Sequence, residues 1–269
     1  MAYTSTASKL MVNHIKFEVA RGHGGRDRSI DSEKQYISYQ TQQKYGDQKV
    51  EKVSRNTRIE WGKHHRVPLP AELKSADISV GSGVGDLVVA PSDDAGTLFQ
   101  GEYESEKSLR SHLVGDHGEV ALAEWAALDW FPYFWRFFGD CRIELNRRIP
   151  LTLSVVRRLG DIDLDLSGMR VQDIRVEYAT GDLDIQLPSA ARSTTATIRA
   201  TIGDIKLGVP PELGARITVG SAFLGSRYVD GDVFERRGYE YVSKGVDKAE
   251  NQLDLSIHSH LGDLQIVRL

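Results

Sequence analysis

A glycine recurs at nearly constant spacing through the middle of this chain. Successive members of the series are 21, 21, 22 and 22 residues apart, and four of the five are followed by aspartate. The members are Gly139, Gly160, Gly181, Gly203 and Gly225. A chain that repeats one short unit at fixed length folds as a stack of similar units, so this series limits the fold more than any other feature of the sequence.

Short alternating segments flank each glycine. Before Gly181, the apolar residues Ile174, Val176 and Tyr178 alternate with polar ones, and the segment 182–187 alternates in the same way. Period two over five or six residues is typical of a strand with one buried face. The pattern predicts an all-β chain in which each coil of a β-solenoid contains two strands and has about 21–22 residues. A series of hairpins with Gly-Asp turns is the alternative.

The apolar residues after each glycine are the predicted core. In a solenoid they point inward and form stacked aliphatic rows. The predicted inward residues are Ile162, Leu164, Leu166, Leu183, Ile185, Leu187, Ile205 and Leu207.

The Gly-Asp pairs are predicted to be structural turns. Glycine passes through positive φ without steric cost, and the aspartate carboxylate can accept hydrogen bonds from nearby backbone N–H groups. The predicted turn residues are Gly139, Asp140, Gly160, Asp161, Gly181, Asp182, Gly203, Asp204, Gly262 and Asp263.

The aspartates also allow a second hypothesis. In register, Asp140, Asp161, Asp182 and Asp204 would form a row that could bind a cation. With Asp163 and Asp184 they would resemble the carboxylate-rich active site of a β-helix enzyme, although Lys206 interrupts that second column. The turn role is the prediction adopted, with no catalytic residue, no metal and no cofactor.

Further copies of the motif lie on both sides of the regular series. Gly85-Asp86 is a clear earlier copy, Gly115-Asp116 is a looser one, and Gly262-Asp263 is the last. The interval from Gly225 to Gly262 is 37 residues. We therefore expect a projecting loop or an irregular coil in the polar segment 230–251.

Residues 1–58 differ from the rest of the chain. They are polar and charged, and only residues 10–19 have the apolar alternation of a strand. We predict a partly ordered, less regular N-terminal extension over residues 1–58 and a solenoid domain over residues 59–269. The alternative for the extension is an arm that pairs with the solenoid or with another subunit.

Composition narrows the classes of function. The chain has 269 residues and a formal net charge of −4, so no basic surplus indicates nucleic acid. Cys141 is the only cysteine, which rules out an intramolecular disulfide. No apolar run approaches the roughly 18 residues of a membrane span. We expect a soluble, cytoplasmic protein that meets a membrane only peripherally or through a partner.

One segment is strongly aromatic. Eight of the 22 aromatic residues lie within the 14 residues 125–138. The segment is either a plug over the open end of the solenoid core or an exposed patch for a protein partner or the membrane interface. The candidate interface residues are Trp130, Phe134 and Trp135.

The ordered motifs resemble the toastrack-type C-terminal domain of LiaF-like cell-envelope stress response proteins. The resemblance covers about residues 60–269 and depends on segments such as Gly160-Asp161-Ile162, Gly181-Asp182-Leu183 and Leu261-Gly262-Asp263-Leu264. It implies a right-handed, non-catalytic β-solenoid-like domain used for interactions in bacterial envelope stress sensing. Members usually carry transmembrane helices before this domain, and we expect none in this chain.

Three functions therefore remain open. The repeat and the resemblance favour a non-catalytic interaction or scaffold module that binds a protein partner or associates with itself. The first alternative is a polymerising solenoid scaffold of the bactofilin kind. The second is a polysaccharide-active β-helix enzyme.

Overall fold

The computed structural model describes residues 57–81, 83–123, 139–220 and 223–269. The aromatic segment 125–138, with the candidate interface residues Trp130, Phe134 and Trp135, lies outside the described residues. So does the extension, apart from Thr57 and Arg58, which begin the first strand.

The described residues form 18 strands and one short 3-10 helix, Val246–Lys248. The strands are β1 (Thr57–Pro68), β2 (Ser75–Val80), β3 (Leu87–Ser92), β4 (Thr97–Val114), β5 (His117–Ala123), β6 (Cys141–Asn146), β7 (Leu151–Leu159), β8 (Ile162–Asp165), β9 (Val171–Thr180), β10 (Leu183–Gln186), β11 (Ser193–Ile202), β12 (Ile205–Val209), β13 (Leu213–Val219), β14 (Arg227–Val229), β15 (Phe234–Arg237), β16 (Glu240–Ser243), β17 (Asn251–His258) and β18 (Leu264–Arg268).

Most strands form two parallel stacks. The first stack runs β5, β2, β7, β9, β11, β17, β13, and the second runs β6, β3, β8, β10, β12, β18, β14. A strand of the first stack, a Gly corner and a strand of the second stack together make one coil. This all-β arrangement is the stacking expected of a solenoid, while the right-handed sense stays a prediction.

The coils do not stack in chain order. The coil β2–β3 lies between β5–β6 and β7–β8. The last coil of the chain, β17–β18, lies between β11–β12 and β13–β14. Consequently Asp86 separates Asp140 from Asp161, and Gly262 lies between Gly203 and Gly225, an order that the linear spacing does not predict.

Antiparallel strands cover both stacks at one end and only the first stack at the other. The long strand β4 crosses both stacks, pairing with β5 and β6, and β1 covers β4. At the other end, β16 and β15 add to β13. The segment 230–251 is thus largely a hairpin on the first stack and not the projecting loop that the spacing allowed. Gly115 is likewise not a coil corner, because it lies in the antiparallel turn between β4 and β5.

The core lies between the two stacks. All eight inward residues predicted from the sequence are at most 1% exposed. Leu164, Ile185 and Leu207 occupy matching positions on β8, β10 and β12, and Val89 and Ile266 extend this row on β3 and β18. The stacked aliphatic rows are therefore as predicted. No helix within the described residues is long and apolar enough to span a membrane.

Candidate functional site: the glycine edge

The Gly corners of successive coils line up along one side of the two stacks, which we call the glycine edge. Its order is Gly139, Gly85, Gly160, Gly181, Gly203, Gly262 and Gly225, and each has φ between 118° and 151°. A Cβ on Gly203 would lie 1.7 Å from the carbonyl oxygen of Gly181. Glycine is therefore required both by backbone conformation and by the close approach of the neighbouring coil.

The aspartates after these glycines form a hydrogen-bonded row, which we call the carboxylate row. In each case an Asp Oδ1 accepts the backbone N–H of the next coil at 2.7–2.9 Å. The order is Asp140, Asp86, Asp161, Asp182, Asp204 and Asp263, and the last accepts from Ser226. Sequence reasoning placed each carboxylate on its own turn, whereas the structure places the bond between coils.

A buried arginine supports the corner from inside. Arg157 is 2% exposed, and its Nη2 donates to the carbonyl oxygens of Gly85 and Asp86. The sequence did not indicate this role, because an arginine in a strand of alternating apolar and polar residues is normally expected to face solvent. The contact provides a charged donor for two carbonyl groups at the corner.

A second column of charged residues, next to the carboxylate row, contains a lysine that partly neutralises its aspartates. Asp163, Asp184 and Lys206 lie side by side on β8, β10 and β12, and Lys206 Nζ donates to an Asp184 oxygen. This hydrogen bond raises the pKa of Lys206. Partial burial raises the pKa of Asp163, and the Asp184 and Asp165 carboxylates add to the effect. Within the described residues, no group of three or more His, Cys, Asp and Glu side chains is placed to hold a metal ion.

We expect little change when one carboxylate of the row is replaced by an amide. Asp161→Asn and Asp182→Asn keep an oxygen acceptor, so each should change the free energy of unfolding by about 1 kcal/mol at most. Urea unfolding followed by circular dichroism measures this. Stoichiometric binding of Ca²⁺ in equilibrium dialysis, lost in Asp182→Asn, would contradict the structural role.

An exposed row of aliphatic side chains runs beside the carboxylate row. Six of the seven corner glycines follow a described residue, and along the stack these residues are Val84, Leu159, Thr180, Ile202, Leu261 and Leu224, with neighbours paired in parallel. Leu159, Ile202, Leu261 and Leu224 are 49%, 47%, 51% and 66% exposed, and we call these four the apolar ridge. The sequence carries the signal, since five of these six positions are apolar, but the strand analysis did not single it out.

The opposite side of the stacks carries basic residues. Arg148, Arg170 and Arg192 lie in the turns that precede β7, β9 and β11, are exposed, and form no salt bridge within the described residues. Arg170 Nη1 donates to the Arg148 carbonyl oxygen at 3.3 Å. We call these three residues the arginine edge. Arg170 and Arg192 line a cavity of about 440 Å³ together with Gln172, Glu250 and Asn251.

The architecture defines a β-solenoid-like protein with an acidic glycine edge and three arginines in successive turns on the opposite side. A family model for the N-terminal domain of toast_rack, DUF2154, matches residues 67–208. The chain therefore belongs to the toast-rack family, and the resemblance inferred from its motifs is confirmed.

Two solved structures are similar to the chain. A candidate cell adhesion protein from Clostridium sporogenes matches with a TM-score of 0.67 and 17% identity, covering 79% of this chain and 100% of that one. A candidate adhesin from Bacteroides fragilis matches with a TM-score of 0.30 and 11% identity, covering 80% of this chain and 98% of that one. The first likeness shows a shared fold. No curated protein matches the sequence significantly.

Proposed function

We propose that this chain is a non-catalytic interaction module of the bacterial cell envelope stress response, and that it binds a protein through the glycine edge. The apolar ridge carries the proposal. Ile202, Leu261 and Leu224 are each about half exposed or more and lie on consecutive coils, and Leu159 continues the row beyond Thr180, whereas scattered single apolar residues are normal on a surface.

The neighbouring carboxylates support binding in preference to catalysis. In the carboxylate row, one oxygen of each Asp accepts a backbone N–H of the next coil, and Lys206 pairs with Asp184. Each of these bonds joins two coils, which gives the carboxylates a structural role.

Membership of the toast-rack family supports the setting in envelope stress sensing. The similar structure from Clostridium sporogenes is a candidate cell adhesion protein, which also favours a binding role over a catalytic one. The stack of short coils gives an extended edge on which a partner can contact several successive coils.

Site-specific photocrosslinking in living bacteria tests the proposal. A photoreactive phenylalanine analogue at Ile202 should yield discrete protein adducts, and the same residue at Arg110, which is exposed on β4 away from the ridge, should yield none. Adding Leu224→Ser and Leu261→Ser to the Ile202 variant should remove the adducts, because the rest of the ridge is then polar. Equal adducts from both positions, or none from Ile202, would overturn the proposal.

A further inference from the structure

The apolar ridge lies on an acidic edge, and this limits what can cover it. All six aspartates of the carboxylate row are exposed, and Glu104 extends the row, accepting the Asp140 backbone N–H. Pairing two ridges face to face would bring two such rows together, which is repulsive. An occupant of the ridge must therefore present basic groups with apolar surface beside them.

The arginine edge of the same chain has this chemistry. Arg148, Arg170 and Arg192 come from three turns of the stack, and their aliphatic stems can cover apolar side chains while the guanidinium groups reach carboxylates. Ala190, which is exposed, adds apolar surface near Arg192, in the wall of the cavity. Asp165 at the end of β8 and Glu250 in the cavity wall offset part of the positive charge, but Arg147 also lies in these turns, so the turns before β7, β9 and β11 remain net basic.

The two edges also share one spacing. Both are built from turns of the same stacked strands, so successive groups on either edge are about 4.8 Å apart. Arg170 and Arg192 precede the paired neighbours β9 and β11, just as Asp182 and Asp204 follow these two strands. When two copies lie side by side with their coils aligned, each arginine can face one carboxylate.

We propose that the occupant of the apolar ridge is a second copy of this chain, bound through its arginine edge. This inference rests on the proposed function of the ridge as a binding surface. The contact joins two different surfaces, so each copy keeps one free edge and association is open-ended. An edge only a few side chains wide buries less than standard interfaces do, so the association is weak and rises with concentration.

Sedimentation velocity of the purified full chain over a concentration series at low salt tests the inference. The parent should form dimers and larger species, and added salt should reduce them because the pairs are exposed. The double variant Arg170→Glu with Arg192→Glu should raise the apparent Kd of association at least tenfold. The double variant Ile202→Ser with Leu261→Ser should do the same. Matched controls are Arg110→Glu with Arg175→Glu on β4 and β9, and Val114→Ser, an exposed apolar residue away from the ridge. These should associate as the parent does.

Mixing the two defective variants distinguishes this contact from any other. The arginine variant keeps its ridge and the ridge variant keeps its arginine edge, so an equimolar mixture should form dimers and nothing larger. A parent that stays monomeric at the highest concentration, or a mixture that stays monomeric while the parent associates, would overturn the inference. In either case, adducts to a different protein from Ile202 in cells would still support the proposed function.

Discussion

Gly203→Ala is expected to lower the free energy of unfolding by roughly 3 kcal/mol or more, because it adds backbone strain to a steric clash. The φ of Gly203 is +141°, a conformation that side chains with a Cβ rarely adopt. The added Cβ would also lie 1.7 Å from the Gly181 carbonyl oxygen and 2.7 Å from its carbon. Both atoms belong to the backbone of a neighbouring coil, so relief requires the two coils to separate.

Two other glycines provide matched controls for this substitution. Gly168 has φ of +66° with nothing within 4 Å of an added Cβ, so Gly168→Ala should show the conformational cost alone, about 1–2 kcal/mol. Gly231 has open space and no left-handed φ, so Gly231→Ala should be close to neutral. Urea unfolding of the three variants gives the comparison. If Gly203→Ala unfolds at the same urea concentration as Gly168→Ala, the close contact between coils is absent.

The features that the sequence predicts are local ones. The glycine spacing and the alternation around it predict the strands, the corners and the inward residues, because each depends on a few neighbouring side chains. Leu164 and Ile185, for example, are fully buried as expected. Family membership follows from the same motifs in their order.

The order of the coils could not be predicted, because it depends on pairing between distant segments. Every coil has nearly the same apolar pattern, so β17–β18 could stack after β13–β14 as well as before it. In the structure it enters between β11–β12 and β13–β14, and the chain reaches this place through the hairpin β15–β16. That choice is made by side-chain fit between coils and by connection length, neither of which a repeat pattern contains.

In the candidate site, too, the local features could be predicted from the sequence and the contacts between coils could not. The aspartates were visible as turn residues, but their bonds to the adjacent coil depend on the stacking, as in the contact of the Asp204 N–H with Asp182 Oδ1 at 2.8 Å. The apolar ridge was present in the sequence at the position before each glycine. Its significance appears only when Ile202, Leu261 and Leu224 prove to be adjacent and exposed.

The second large effect is expected in the core, where Ile185→Ala and Leu164→Ala should each lower the free energy of unfolding by roughly 2–5 kcal/mol. Both side chains are fully buried between the stacks, so truncation removes apolar contacts and leaves a cavity. Gln186→Ala is the matched control, because Gln186 follows Ile185 in β10 and is exposed. Chemical unfolding followed by tryptophan fluorescence and by circular dichroism measures the three variants. Either core variant unfolding like the parent would contradict the assigned inward face.

Double-mutant cycles then test the register between coils. Leu164 and Ile185 are partners on adjacent strands, whereas Leu207 is one strand further on, about 9–10 Å from Leu164. Contacting residues share one cavity when both are truncated, so Leu164→Ala and Ile185→Ala should be non-additive by about 0.5 kcal/mol or more. Leu164→Ala and Leu207→Ala should instead add nearly independently. The reverse result, with coupling to Leu207 and none to Ile185, would mean that β8 and β10 are not neighbours and that the coils stack in another order.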